Sequence, residues 1–301
     1  MRRRLTLVLV TLTIFCVAAA ARGADALQEL RQKAQQGQAK AQNNLGLRYA
    51  NGEGVPKDAA AAVSWFRKAA VQGHAEAQYN LAAMYYSGAS LPEDEAEVAV
   101  WFRKAAEQGL AEAQYNLGMM YLDGEGVPQN YAEAFKWFRK AAEQRHAAAL
   151  YTLGMASSDG EGVPQDAAEA FTWFRKAAEL GHVEAQYNLG TMYRTGEGAP
   201  QDAVAAVTWF GKAAEQGHAD AQYNLGMMRY SGEGALSDYA AAATWLRKAA
   251  EQGYAKAQFK LGLMYRAGEG VPRDAAAAVA WLRKAAEQGS ADAEGALKKL
   301  Q

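Results

Sequence analysis

The sequence predicts an all-α protein, an α/α solenoid in which antiparallel helix pairs stack into a right-handed superhelix. Three observations predict it. The seven tryptophans, Trp65, Trp101, Trp137, Trp173, Trp209, Trp245 and Trp281, recur every 36 residues. The six prolines (Pro56, Pro92, Pro128, Pro164, Pro200 and Pro272) keep that register, and Leu236 fills the one slot without a proline. Each unit carries two apolar stripes of helical period separated by a Gly-rich break. One such pair cannot bury both of its faces unless another pair stacks on it.

Seven copies of the unit run from Ala39 to Ser290. In the third copy, Leu117, Met120 and Tyr121 stand at i, i+3 and i+4 within a Pro-free stretch that predicts the first helix. Gly124 and Gly126 then flank Glu125 and end that helix, as C-terminal glycines do. Pro128 is expected in the first turn of the second helix. That helix carries Ala134, Trp137, Phe138, Ala141 and Ala142 and ends near Gln144, just before the slot where most copies place a glycine such as Gly109 or Gly181. Its Trp and Phe are expected to wedge against Leu and Tyr of the first helix. Residues 22–38 are expected to form an N-terminal capping helix and residues 291–301 a C-terminal one, where Gly295 and Lys298 interrupt the apolar pattern.

The first residues follow another grammar. Arg2, Arg3 and Arg4 precede an apolar run from Leu5 to Val17 and small residues from Ala18 to Ala21. This predicts a secretory signal peptide over residues 1–21 and a periplasmic or secreted protein. The run is shorter than the roughly 20 residues of a membrane span, so no integral span is expected after cleavage. Cys16 is the one cysteine, so the mature chain has no disulfide and depends on packing. With 32 basic against 33 acidic residues there is no basic field to attract nucleic acid.

The repeats resemble Sel-1-like repeats, relatives of the tetratricopeptide repeat. In the third copy the resemblance rests on Ala113, Leu117, Gly118, Tyr121, Gly124, Gly126, Val127, Ala134, Trp137, Lys140, Ala141 and Ala142. It implies a protein–protein interaction scaffold, often exported in bacteria, whose first helices line a concave groove, plausibly in envelope signalling or assembly. Some cysteine-rich secreted relatives have been linked to binding or cleaving β-lactams, which leaves an alternative reading as a β-lactam-binding or hydrolytic envelope protein. A further alternative is a glycan- or peptidoglycan-associated scaffold.

The residues themselves point away from an enzyme. The recurrent Gly-Glu-Gly at Gly52, Gly124, Gly160, Gly196, Gly232 and Gly268 lacks the Lys-Ser or Lys-Thr of a phosphate loop. It also lacks the spaced acids of a calcium loop, and reads as an interhelix turn. His74, His146, His182 and His218 share one slot in successive units, too far apart to converge on one zinc, and are expected to cap the preceding helix C-terminus. The paired cysteines of the β-lactam-linked relatives are absent, and Ser64 is followed by Arg67 where S-x-x-K needs lysine. No catalytic residue, cofactor or metal is assigned. Arg103 and Lys104 with Glu107, and their equivalents, are expected to form a salt-laced outer face.

Partner binding is expected on the first helices. At 100° per residue, positions 1, 3, 4, 7, 8, 10 and 11 of the unit pack, while positions 2, 5, 6, 9, 12 and 13 lie opposite. That second arc places Tyr79, Tyr115, Asn116, Met119, Tyr151, Met155, Tyr187, Asn188, Tyr223 and Asn224 on one surface suited to a protein or extended peptide, or an envelope glycan. Tyrosine supplies contact area at low entropy cost, and asparagine can pair with peptide amides. The tyrosines are equally open to a partly structural role, as are the asparagines to cross-layer hydrogen bonds. The fourth copy departs most, with Ala148, Thr152 and Ser157 for Glu, Asn and Tyr, and Arg145 where a glycine normally precedes the slot. This predicts a shallow, less acidic pocket near Tyr115, Tyr151 and Tyr187. The chain is expected to be a monomer.

Overall fold

The computed structural model describes residues 25–88 and 95–299, and the expected leader over residues 1–21 lies outside them. All regular structure among the described residues is helical. The chain divides into two units at Gln144 and Arg145.

The first unit opens with α1 (residues 25–35). Three pairs follow: α2 (Ala39–Asn51) with α3 (Ala59–Ala70), α4 (Ala75–Tyr86) with α5 (Glu95–Glu107), and α6 (Ala111–Asp123) with α7 (Tyr131–Glu143). The second unit has four pairs and a terminal helix. They are α8 (Ala147–Asp159) with α9 (Ala167–Glu179), α10 (Val183–Thr195) with α11 (Ala203–Glu215), α12 (Ala219–Ser231) with α13 (Tyr239–Glu251), and α14 (Ala255–Ala267) with α15 (Ala275–Glu287), then α16 (Ala291–Lys298). Within each unit every helix packs on its chain neighbours, giving an α/α solenoid of antiparallel pairs.

The core repeats with the sequence. In α6, Ala113, Gln114, Leu117, Gly118 and Met120 are buried, while Ala111 and Tyr121 are half-buried. Phe138 of α7 is fully buried beneath Gly118, where an added Cβ would overlap the ring. The small residue is therefore what lets the two axes close on each other. Tryptophan is a weaker core element than expected. Trp101 and Trp137 are buried, but Trp65, Trp173, Trp209, Trp245 and Trp281 are only half-buried. The neighbouring position, Phe66, Phe102, Phe138, Phe174 and Phe210, then Leu246 and Leu282, carries the burial in every copy. The reason is helical phase: adjacent residues differ by about 100°, so only one can face the partner helix squarely.

The Gly-Glu-Gly turn has two distinct glycine jobs. Gly124 ends α6 in the left-handed conformation (φ 78°) and its N–H bonds the Met120 carbonyl. Gly126 is also left-handed (φ 64°), and a Cβ there would overlap the Glu95 carbonyl oxygen of the preceding repeat. The second glycine therefore sets how near adjacent repeats approach. Pro128 lies before the second helix rather than in its first turn. Asn130 is the N-cap, its side chain accepting from Glu133 N–H at 3.1 Å, and its own N–H bonds Tyr121 O at 2.8 Å. That closure leaves the proline in the connecting strand of chain, where no backbone donor is required.

Candidate functional site

The candidate site is the outward arc of the first helices, and each unit presents its own. In the first unit, Tyr79 packs its ring 5.8 Å from Phe102, and Tyr115 5.7 Å from Phe138. Asn116 and Met119 beside Tyr115 are half-buried. Asn80, one turn position after Tyr79, donates to Asn43 of the previous repeat at 2.9 Å.

In the second unit the tyrosines make the same contact with the second helix. Tyr151 lies 5.8 Å from Phe174 and stacks on His182, the cap of the next first helix, at 4.5 Å and 17°. Tyr187 lies 5.8 Å from Phe210 and stacks on His218 at 4.6 Å and 15°. Tyr223 meets Tyr254, which stands in the histidine slot, at 5.1 Å. Each ring is thus a wedge between its own helix pair and the residue that opens the next first helix. Burial pushes the Tyr151 hydroxyl above the usual tyrosine range, assisted by the Glu184 charge. Burial also raises Tyr223, opposed by Arg194. Asn188 donates to the Met155 sulfur at 3.6 Å, and Asn224 accepts from Arg194 at 3.5 Å.

The structure therefore groups Tyr79, Tyr115, Asn116 and Met119 in the first unit, and Tyr151, Met155, Tyr187, Asn188, Tyr223 and Asn224 in the second. A pocket of about 210 Å³ opens between the fourth and fifth repeats, and Met155 and Asn188 are among its lining. Its lining differs from the expected pocket. Ser158, not Ser157 or Thr152, faces it, and Glu197 makes its edge acidic. Ser157 is buried, and the rings of Tyr151 and Tyr187 are committed to their stacks.

Two expected roles on the turns and outer face need correction. The histidines do not cap the preceding C-terminus. Nδ1 of His74, His146, His182 and His218 accepts from the N–H three residues on, at 3.2–3.3 Å, and so caps the N-terminus of the following first helix. The φ and ψ of the slot, −70° and 111° at His74, are those of an N-cap, which the spacing alone did not distinguish. His182 Nδ1 also lies 3.3 Å from the Glu184 carboxylate. An ion pair there would need the proton that the cap excludes. Burial holds the His182 pKa below the usual histidine value despite Glu184, so the neutral cap prevails near pH 7.

On the outer face the arginines and lysines turn mainly to aromatic rings rather than to the glutamate one turn on, although Arg67 also pairs with Glu97 of the next repeat at 3.6 Å. Arg103 donates to the Tyr121 hydroxyl of the next repeat at 2.6 Å, and Arg67 and Arg247 do the same to Tyr85 and Tyr265 at 2.7 and 2.9 Å. Lys104 lies over Trp101, and in all seven repeats the equivalent lysine stands 3.9–4.6 Å from its tryptophan ring. The indole face is the reason: half-exposed in five copies and buried at Trp101 and Trp137, it offers the ammonium a partner one turn away.

Sequence reasoning missed one buried network. Gln114 donates to Ala106 O at 3.1 Å and accepts from Gln144 at 2.9 Å. The same relay recurs at Gln42 with Gln72, Gln78 with Gln108, Gln186 with Gln216, Gln222 with Gln252 and Gln258 with Gln288. The signal was in the sequence, since the fourth copy changes both members together, to Leu150 and Leu180.

Helix pairs repeated in register, with polar and aromatic side chains on one arc and no cluster of metal-ligating residues among those described, define a helical-repeat scaffold. The Sel1 repeat model matches residues 39–74, 75–110, 111–146, 147–182, 183–218, 219–254 and 255–290, and the chain belongs to the Sel1-repeat family. Among solved structures, it is similar to c5321, a protective antigen present in uropathogenic Escherichia coli strains that displays an SLR fold. The identity is 41% and the TM-score 0.87, over 91% of this chain and 59% of that one, so the chain spans less than two thirds of that antigen's length. A Sel1 repeat protein from Oxalobacter formigenes is 34% identical with a TM-score of 0.69, over 94% of this chain and 93% of that one. No curated protein matches. Sel1 repeats are typical of protein–protein interaction, and the family is generally one of non-enzymatic scaffolds. No described helix is long and apolar enough to cross a membrane.

Proposed function

We propose that this chain is an exported scaffold that holds a protein partner against the outward arc of its first helices, with an extended segment of the partner lying across successive repeats. The observation that carries this reading is the alignment of half-buried Asn, Met and Tyr side chains on that arc, repeated at the 36-residue period inside each unit. The tyrosines contribute rigid walls held by their stacks, and the asparagines and methionines between them supply adaptable contacts. The leader-like Arg2–Ala21 segment supports export.

Two measurements test it together. Expressed with its leader, the protein should be recovered from the cell envelope about 2 kDa lighter than its precursor, the mass of a roughly 21-residue signal. The partner captured with it should bind about 1–3 kcal/mol more weakly to Asn188→Ala or Met155→Ala, the range of an interface hot spot. Retention of an unprocessed precursor in the cytoplasm overturns export. Undiminished binding by both variants overturns the assigned face.

A further inference from the structure

We infer that the pocket between the fourth and fifth repeats receives an arginine side chain from the bound partner. The inference rests on the reading of the first-helix arc as the partner-binding face. It comes from an inter-repeat contact that the fourth repeat cannot make. Where position 12 of a first helix is tyrosine or arginine, it reaches the glutamate of the next Gly-Glu-Gly turn, 39 residues further on; the first and third copies, with Ala50 and Leu122 there, also lack such a side chain. The Tyr86 hydroxyl donates to Glu125 at 2.8 Å, Arg194 donates to Glu233 at 3.2 Å, and the Tyr230 hydroxyl donates to Glu269 at 2.8 Å. The bond to Glu269 pushes the Tyr230 pKa up to about 12, so the carboxylate there is well used.

In the fourth repeat position 12 is Ser158, 39 residues before Glu197. Its hydroxyl ends several bonds short of where a tyrosine or arginine would end. Glu197 is exposed and is assigned no partner among the described residues. Ser158 and Glu197 both border the 210 Å³ pocket, with Met155, Ala167, Phe174 and Met192 as apolar lining and Asn188 and Thr191 as further polar lining.

That combination selects arginine. Three methylenes can lie along the methionines, whose unbranched thioethers adapt to the shape laid on them. The planar guanidinium then meets a carboxylate with two parallel N–H donors. A tyrosine would donate one hydrogen bond to Glu197, as Tyr86 and Tyr230 do to their glutamates, but would not neutralise its charge. Wider depressions of about 440 and 360 Å³ at the first and last repeats offer no such site. In one, Glu53 is already paired with Arg48 at 3.4 Å, and in the other the carboxylate of Asp292 shares the lining with two cations, Arg266 and Lys299.

The test uses the full mature chain with isotope-labelled methionine methyls and the peptide acetyl-Ala-Ala-Arg-Ala-Ala-amide. The peptide should shift the Met155 and Met192 methyl signals saturably. Replacing its arginine by citrulline, the uncharged isostere, should weaken binding about tenfold, as removal of a partnered charge does. Glu197→Gln should weaken it similarly. Ser158→Arg should abolish it, because the chain then fills its own pocket and pairs Glu197 internally. Unchanged thermal unfolding of Glu197→Gln keeps that variant interpretable. Absent or non-saturable shifts, or equal binding of the citrulline or a tyrosine peptide, overturn the inference. If the peptide fails while the captured partner still depends on Asn188, only the arginine pocket falls. If the partner is indifferent to the whole arc, the scaffold reading falls with it.

Discussion

At Tyr151 a single ring ties its own helix pair to the cap of the next first helix, packed on Phe174 behind and on the His182 imidazole ahead. His182 in turn caps α10 with a lone pair that exists only on the neutral ring. Its folded pKa is depressed by burial. A depressed pKa means stability that is present above the unfolded value of about 6.5 and is lost as pH falls through the lower folded value. The denaturation midpoint should therefore drop between pH 7 and pH 5, and His182→Asn, a non-titrating cap, should flatten that part of the profile in urea titrations followed by circular dichroism. The two aromatic neighbours in α9 separate just as clearly. Phe174→Ala should cost about 3–5 kcal/mol, the range for a buried core aromatic. Trp173→Ala should cost only about 1–2 kcal/mol, from partial burial and one lysine contact. Calorimetry of the pair checks the order, and a larger loss at Trp173 would contradict the phase assigned to α9. The period of the tryptophans was legible from the sequence, but their burial was not. A marker residue that recurs faithfully looks like core, whereas rotation by one residue puts Phe inward and leaves Trp for Lys to cover.

At the scale of helices, the buried glutamine relay is the feature that most constrains how pairs stack. Gln186 sits between Ala178 O at 3.2 Å and Gln216 at 2.8 Å. Gln186→Leu alone should cost about 1–3 kcal/mol, because the buried Ala178 carbonyl loses its donor while the exposed Gln216 amide keeps water and Gly181 O. The double change Gln186→Leu with Gln216→Leu should cost less than the sum, since the fourth repeat already uses Leu150 and Leu180 in those places. A double-mutant cycle by denaturant unfolding measures this coupling, and strict additivity would show the relay to be incidental. The helix boundaries were largely readable, because Gly124 and its equivalents stop the first helix where the left-handed conformation is needed. The start of the second was misjudged, because a proline two residues before an Asp or Asn cap resembles a proline inside the first turn. Arg145 shows how strongly the turn is imposed. It takes the left-handed conformation (φ 62°) that glycine holds at Gly109 and Gly181, and Arg145→Gly should remove that strain.

Over the whole chain, the period of 36 residues was enough to read seven helix pairs and the class of scaffold, since stacking is the way such pairs bury both faces. The candidate face was legible only as an arc of positions. Which members of the arc are free for a partner depends on stacks and hydrogen bonds that join residues 30 to 39 positions apart, and no local pattern exposes those. Tyr151 and Tyr187 are largely spent on structure, whereas Asn188, Met155 and Glu197 border open space. Site-specific photo-crosslinking in intact cells tests the binding face most directly. A benzophenone side chain placed at Met119 or Asn188, on the first-helix arc, should trap a protein partner as a discrete higher-mass band, while the same group at Lys104 or Lys212, on the lysine–tryptophan face, should trap none. A partner captured from Lys104 or Lys212 but not from Met119 or Asn188 would contradict the assignment of the binding face.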